Sequence, residues 1–182
     1  ADPDAATGVV VDATNFPDEK FREYVQRSFD KEKDGKKDGI LDTDEIKAAT
    51  RINIFINFGE NGIATLQGVE HLTALTSLSC SGYNKFTTLD LTKNTALVGL
   101  DLYWNYKLTK LDLPATDTLA ALTCSMTSLE ALDLRENPGL TRLDCQDSKL
   151  TSLELSQNPK LTFLKCNDNK LTSLELSQNP NL

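Results

Sequence analysis

Histidine is almost absent from this chain: His71 is the only one in 182 residues. Acid–base and nucleophilic catalysis draw on histidine more than on any other side chain, so an enzymatic reading starts without its usual base. Long apolar runs are missing too. None approaches the roughly 18 residues that a membrane-spanning helix requires. Basic residues are outnumbered, with 19 Lys and Arg against 27 Asp and Glu, a net charge of -8 and a pI near 4.7. No Lys/Arg cluster offers a phosphate footprint, which excludes nucleic acid as a partner. Neither a glycine-rich phosphate loop nor a zinc-ligand spacing occurs.

What the chain has in abundance is leucine at a fixed period. Leu119, Leu140, Leu161 and Leu182 recur every 21 residues, and the phase runs back through Leu97 and Leu75 at steps of 22. Each coil holds two half-repeats. One coil reads Leu161, Leu164, Cys166, Asn169, Leu171, Leu174, Leu176, Asn179, and the coil before it reads Leu140, Leu143, Cys145, Ser148, Leu150, Leu153, Leu155, Asn158. Both halves follow Leu-x-x-Leu-x-(Leu or Cys)-x-x-Asn, which predicts a short extended segment with alternate residues inward, then a corner. Asn137, Asn158 and Asn179 are each followed by proline, a step that cannot continue a helix. Buried amides at stacked corners predict a ladder of bonds to the backbone.

The period specifies an α/β-solenoid of leucine-rich-repeat type: a right-handed stack of 21- to 22-residue coils with parallel strands and a small helical N-terminal cap. One coil cannot fold alone, because ordering its backbone outweighs burial of about six Leu or Cys side chains. The expected organisation is a disordered terminus over 1–8, a helical cap over 9–50 and the solenoid over 51–182. In the cap, residues 17–29 place Phe21, Tyr24, Val25 and Phe29 at helical spacing, and a second short helix starts at Asp42 or Thr43. Ile52, Ile54, Ile56 and Phe58 alternate as a first strand. The last coil has no matching cover, so the expectation is a fragment of a longer protein or an array closed by self-association of that coil.

Cys80, Cys124, Cys145 and Cys166 occupy one inward phase that Leu102 also fills. A position shared by Leu and Cys is a core position, so free buried thiols are expected. His71 reads as a cap residue with no cysteine to partner.

The stretch Asn15-Phe16-Pro17-Asp18-Glu19-Lys20-Phe21 followed by an amphipathic helix, and Ile63-Ala64-Thr65-Leu66-Gln67-Gly68-Val69 leading into Leu72 and Leu75, resemble secreted bacterial leucine-rich-repeat proteins with a helical cap, the internalins among them. The resemblance covers nearly the whole chain. It implies a secreted or surface-anchored bacterial protein, extracellular, with a protein or glycan ligand; the lack of a long apolar run separately implies no membrane insertion in this segment. The 21-residue coils depart from the 22-residue internalin repeat, so no internalin receptor carries over.

The cap loop, with Asp30, Glu32, Asp34, Gly35, Asp38, Gly39, Leu41 and Glu45, resembles an EF-hand. If Asp34 opens the loop, Asp38, Gly39, Leu41 and Glu45 fall at positions five, six, eight and twelve, but Lys36 at position three removes a ligand. If Asp30 opens it, residues 36–39 are an insertion. An expanded loop would hold calcium through Asp30, Asp34, Asp38 and Glu45; otherwise the hand only packs. No cofactor is required.

The register aligns Asp90, Asp112, Asp133, Glu154 and Glu175 as an outward column, read as a solubilising face or a site for cations or a basic partner. Ser79, Asp101, Thr123, Asp144 and Lys165 form another column, flanked by Ser77, Gly99, Ala121, Arg142 and Phe163. Near its corner gather Tyr83, Tyr103, Trp104 and Tyr106, including the only Trp. Amphipathic aromatics suit interface anchoring and sugar stacking; bulky filler for the longer corners is the other reading. The ligand-binding candidates are therefore Tyr83, Asp101, Tyr103, Trp104, Tyr106, Arg142 and Phe163. The first functional reading is an extracellular, adhesin-like binding module. A structural spacer is the second, and a polysaccharide-active solenoid enzyme the third.

Overall fold

The computed structural model describes residues 8–31 and 37–182. Residues 1–7 of the terminus expected to be disordered, and Asp34 of the expected calcium set, lie outside the described residues.

Local caps start both helices. Asp18 Oδ1 accepts from the Phe21 backbone N–H at 3.0 Å, opening α1 (Glu19–Ser28) two residues after the expected Pro17. Asp42 opens α2 (Thr43–Ala48) through a capping box: its carboxylate accepts from Asp44 and Glu45 N–H groups, and Glu45 Oε2 accepts from the Asp42 N–H at 2.9 Å. A two-residue strand β1 (Val9–Val10) pairs antiparallel with β2 (Ile40–Leu41), a pairing that the leucine period does not report. Phe16, Phe21 and Val25 share one core with Ile52, Leu66 and Leu72 of the first coil. Phe21 and Val25 of α1 are thus buried in the same core as the leucines of the coils.

The solenoid begins at β3 (Arg51–Ile56) and continues through β4 (Ser77–Gly82), with the next first-half strands at β6 (Gly99–Asp101), β8 (Ala121–Thr123), β9 (Arg142–Asp144) and β10 (Phe163–Lys165). These six form one parallel sheet in chain order. Leu78, Leu100, Leu122, Leu143 and Leu164 are in register along it, so the leucine phase and the strand register coincide. Second half-repeats form hydrogen-bonded strands only at β5 (Thr88–Asp90) and β7 (Lys110–Asp112). Among the described residues, the helices are α1, α2 and one 3-10 turn at Val69–His71.

The alternation expected to carry Phe58 inward fails. Strand β3 stops at Ile56, and Phe58, just before Gly59 at φ 86°, is 83% exposed. Sheet pairing ends where β4 turns at Gly82, which has φ 101° and lies so close to the Ile56 carbonyl that a Cβ would clash with it.

Amides ladder both corners. Asn158 Nδ2 donates to the Leu134 and Asn137 carbonyls at 3.1 and 2.9 Å, and Asn179 repeats the contact on Leu155 and Asn158. Asn94 and Asn137 do the same for their preceding coils, while Thr116 takes this place between them. At the other corner, Asn105 Nδ2 donates to the Cys80 and Leu102 carbonyls, both at 2.8 Å, and Asn169 to those of Cys145 and Cys166. Cys80, Cys124 and Cys145 are fully buried, Cys166 is half-buried, and all four are free.

Candidate functional site

One corner of the sheet face gathers the aromatics. Tyr83 is the hub: its ring lies 5.1 Å from Phe58, 5.4 Å from Trp104 and 5.6 Å from Tyr106. Tyr103 stacks on Trp104 at 5.2 Å with 17° between planes. Tyr106 is 48% exposed, and Tyr83, Tyr103 and Trp104 are half-buried. The structure thus brings together four expected residues and adds Phe58, which the strand alternation concealed.

Trp104 stands at φ 68°, in the left-handed region. Gly82, Met126, Asp147 and Asp168 hold the same place in neighbouring coils, also at positive φ. Four of these N–H groups form a ladder to the adjoining coil: Gly82 donates to Tyr103, Trp104 to Ser125, Met126 to Gln146 and Asp147 to Asn167, at 2.8 to 3.1 Å. Bulky residues are disfavoured in this conformation, whereas Gly and Asp accept it. The register alone held this signal, in Gly, Asp and Asp at one phase.

Asp101 sits beside the corner. Its Oδ1 accepts from the Tyr103 N–H at 3.0 Å and its Oδ2 from Ser79 Oγ at 3.4 Å. Arg142 and Phe163 lie at the other end of the sheet, apart from the aromatic corner in the strand order. There the Arg142 guanidinium covers the Phe163 ring at 3.5 Å, with Lys165 Nζ at 5.8 Å. The expected set is therefore two patches on one sheet.

The acidic column has a local structural task. Asp90, Asp133, Glu154 and Glu175 each accept from the backbone N–H two residues on, at 2.8 to 3.1 Å. The Arg135 side chain pulls Asp133 down to about 2. Hydrogen bonds from Thr92 and Ser156 lower Asp90 and Glu154, and the Ser177 backbone N–H and hydroxyl lower Glu175. Lys110 pairs with Asp112 at 2.5 Å.

Asp30 is buried; its Oδ2 accepts from the Gly39 N–H at 3.3 Å and, among the described residues, its Oδ1 has no partner. Burial pushes its carboxyl above the ordinary value, the Gly39 bond opposes this, and Glu45 and Asp38 add to the rise. Glu45 uses both oxygens, on the Lys31 and Asp42 N–H groups, and Asp38 accepts from Ile40. Among the described residues no three His, Cys, Asp or Glu side chains converge as a metal-holding group. Burial drives the thiols of Cys80 and Cys145 up to about 12, leaving them protonated at neutral pH. His71 packs at 5.9 Å from the Phe16 ring.

A leucine-rich-repeat protein of Leptospira interrogans is similar over 72% of this chain and 34% of its own, at 21% identity and a TM-score of 0.57. The fold is a leucine-rich-repeat solenoid. Two proteins of Listeria monocytogenes also align with this leucine-rich-repeat chain. The functional domain of InlJ, which includes a cysteine ladder, matches 97% of the chain and 51% of its own length at 24% identity and TM-score 0.41. Internalin C2 matches 97% and 95%, at 16% and 0.38. The chain spans only 51% of the InlJ domain and 34% of the Leptospira protein. No protein-family model and no curated protein matches the sequence. No helix among the described residues is long and apolar enough to cross a membrane.

Proposed function

We propose that this chain is an extracellular binding module that presents its six-stranded sheet face and the adjoining aromatic corner to a protein or glycan ligand. The single observation that carries the reading is the aromatic cluster around Tyr83, contiguous and partly exposed at one edge of a rigid sheet. Leucine-rich-repeat stacks serve widely as extended binding surfaces, and exposed Tyr and Trp are favoured anchors. Secretion and surface display belong to the same proposal and rest on the sequence resemblance. A glycan and extracellular-protein array, probed with the chain and with Trp104→Ala, tests it. Ligands lost on substitution support the surface; identical binding profiles overturn it.

A second reading concerns calcium in the cap, favoured by the buried Asp30 Oδ1, which has no partner among the described residues. Asp30 and Asp38 would supply oxygens, and Glu45 would have to release a backbone bond. Calorimetry with millimolar calcium, on the chain and on Asp30→Asn, tests this: heat that Asp30→Asn abolishes supports the site, and no heat or unchanged heat removes it.

A further inference from the structure

The polar tips of the aromatic corner are unused. Among the described residues, the hydroxyls of Tyr83, Tyr103 and Tyr106 and the indole N–H of Trp104 make no hydrogen bond, whereas the Tyr24 hydroxyl accepts from the Asn53 N–H at 2.9 Å. A ligand that covers these rings without hydrogen-bonding groups of its own strands four polar atoms away from water. An apolar wedge is therefore a poor occupant.

Charge narrows the choice further. A cation would meet Lys107, whose Nζ already lies 6.0 Å from the Tyr106 ring centre, and would find Asp101 engaged with Tyr103 and Ser79. An anion would meet Asp101 and Glu60, which is held on Asn57 next to Phe58. The chemistry left is neutral: a ring with C–H faces to lie on the aromatics and a rim of hydroxyls to meet their tips. A pyranose has that form. Trp104 adds a second argument, because its left-handed backbone suits the Gly82, Asp147 and Asp168 found at the same place in other coils, where Met126 is the one other bulky residue. A bulky ring kept at that backbone cost points to a use for the ring.

We infer that the corner formed by Tyr83, Tyr103, Trp104 and Tyr106 is a carbohydrate platform that takes a neutral pyranose unit of an oligosaccharide by stacking and bonds its hydroxyls through the phenol and indole tips. This deepens the binding-module reading and rests on it.

Trp104 is the only tryptophan, so its emission reports occupancy without a label. The chain is titrated with neutral hexasaccharides of glucose, N-acetylglucosamine and galactose, and with an oligogalacturonate as the anionic comparison. The expected result is a saturable change with at least one neutral sugar, insensitive to salt. Tyr106→Ala is expected to weaken it about tenfold, and Tyr83→Phe, which keeps the ring and removes only the hydroxyl, about fivefold. No saturable change with any neutral sugar, a response to oligogalacturonate alone, or full affinity in both variants overturns the inference. If array proteins bind through Trp104 while no sugar does, the binding surface stands and the carbohydrate assignment falls. If nothing depends on Trp104, both fall.

Discussion

The guanidinium of Arg142 lies 3.5 Å from the centre of the Phe163 ring, and the two residues are register partners on β9 and β10. Parallel pairing holds the cation above the ring face. A double-mutant cycle with Arg142→Ala and Phe163→Ala is expected to give a coupling of about 0.5–1 kcal/mol in urea unfolding. Additive losses would show that the contact contributes nothing.

Asn158 donates to carbonyls of two successive turns of the preceding coil, which also accept from the Asn137 and Leu140 N–H groups, so its removal takes away two buried hydrogen bonds that tie the coils together. Asn158→Ala is expected to lower stability by about 1–3 kcal/mol. Substituting the exposed Gln157 is expected to fall within about 0.5 kcal/mol of the parent. Equal urea midpoints for the two variants would refute a structural amide ladder.

The left-handed corner is testable where packing does not intervene. Asp147 is exposed at φ 51°. Asp147→Gly is expected to match or exceed the parent in stability, and Asp147→Val to fall below Asp147→Gly by about 1–2 kcal/mol. Similar unfolding midpoints would mean that the corner relaxes to ordinary backbone angles.

Acid sensitivity follows from the outward column. Asp133 titrates at about 2 in the fold against an ordinary 3.8, and Asp90, Glu154 and Glu175 are also lowered. A depressed folded pKa contributes stability that is present above the unfolded value and lost as pH falls through the folded one. Melting temperature is therefore expected to drop between about pH 4 and pH 2, less steeply in Asp133→Asn. Asp30 has the opposite sign: its raised carboxyl favours the fold at low pH and loses that contribution as pH rises, so Asp30→Asn removes this opposing slope. Parallel pH profiles for parent and variants would contradict both assignments.

Thiol accessibility gives a further check. Cys166 is half-buried, whereas the other three cysteines are fully buried. Labelling of the native chain is expected to modify Cys166 first, with the others reacting only on unfolding. Simultaneous reaction of all four would show a looser core.

The leucine period by itself determined the coil, the inward phase of the cysteines, the Asn corners and the alignment of the acids, because each depends on spacing alone. The two cap helices were legible for the same reason, from Phe21 and Val25 at helical spacing and Asp42 before Glu45. Only the tertiary structure decided what the aligned side chains do. Phe58 reads as an inward strand residue until Gly59 turns the chain; then it joins Tyr83. The acids read as a bare charged face, yet four of them cap their own corners. Arg142 and Phe163 read as members of one site with Trp104, but their coils place them at the other end of the sheet. Spacing reports which residues share a phase. Distances across coils, hydrogen-bond partners and positive backbone angles arise only when the coils stack, and they separate the aromatic corner from the rest of the face.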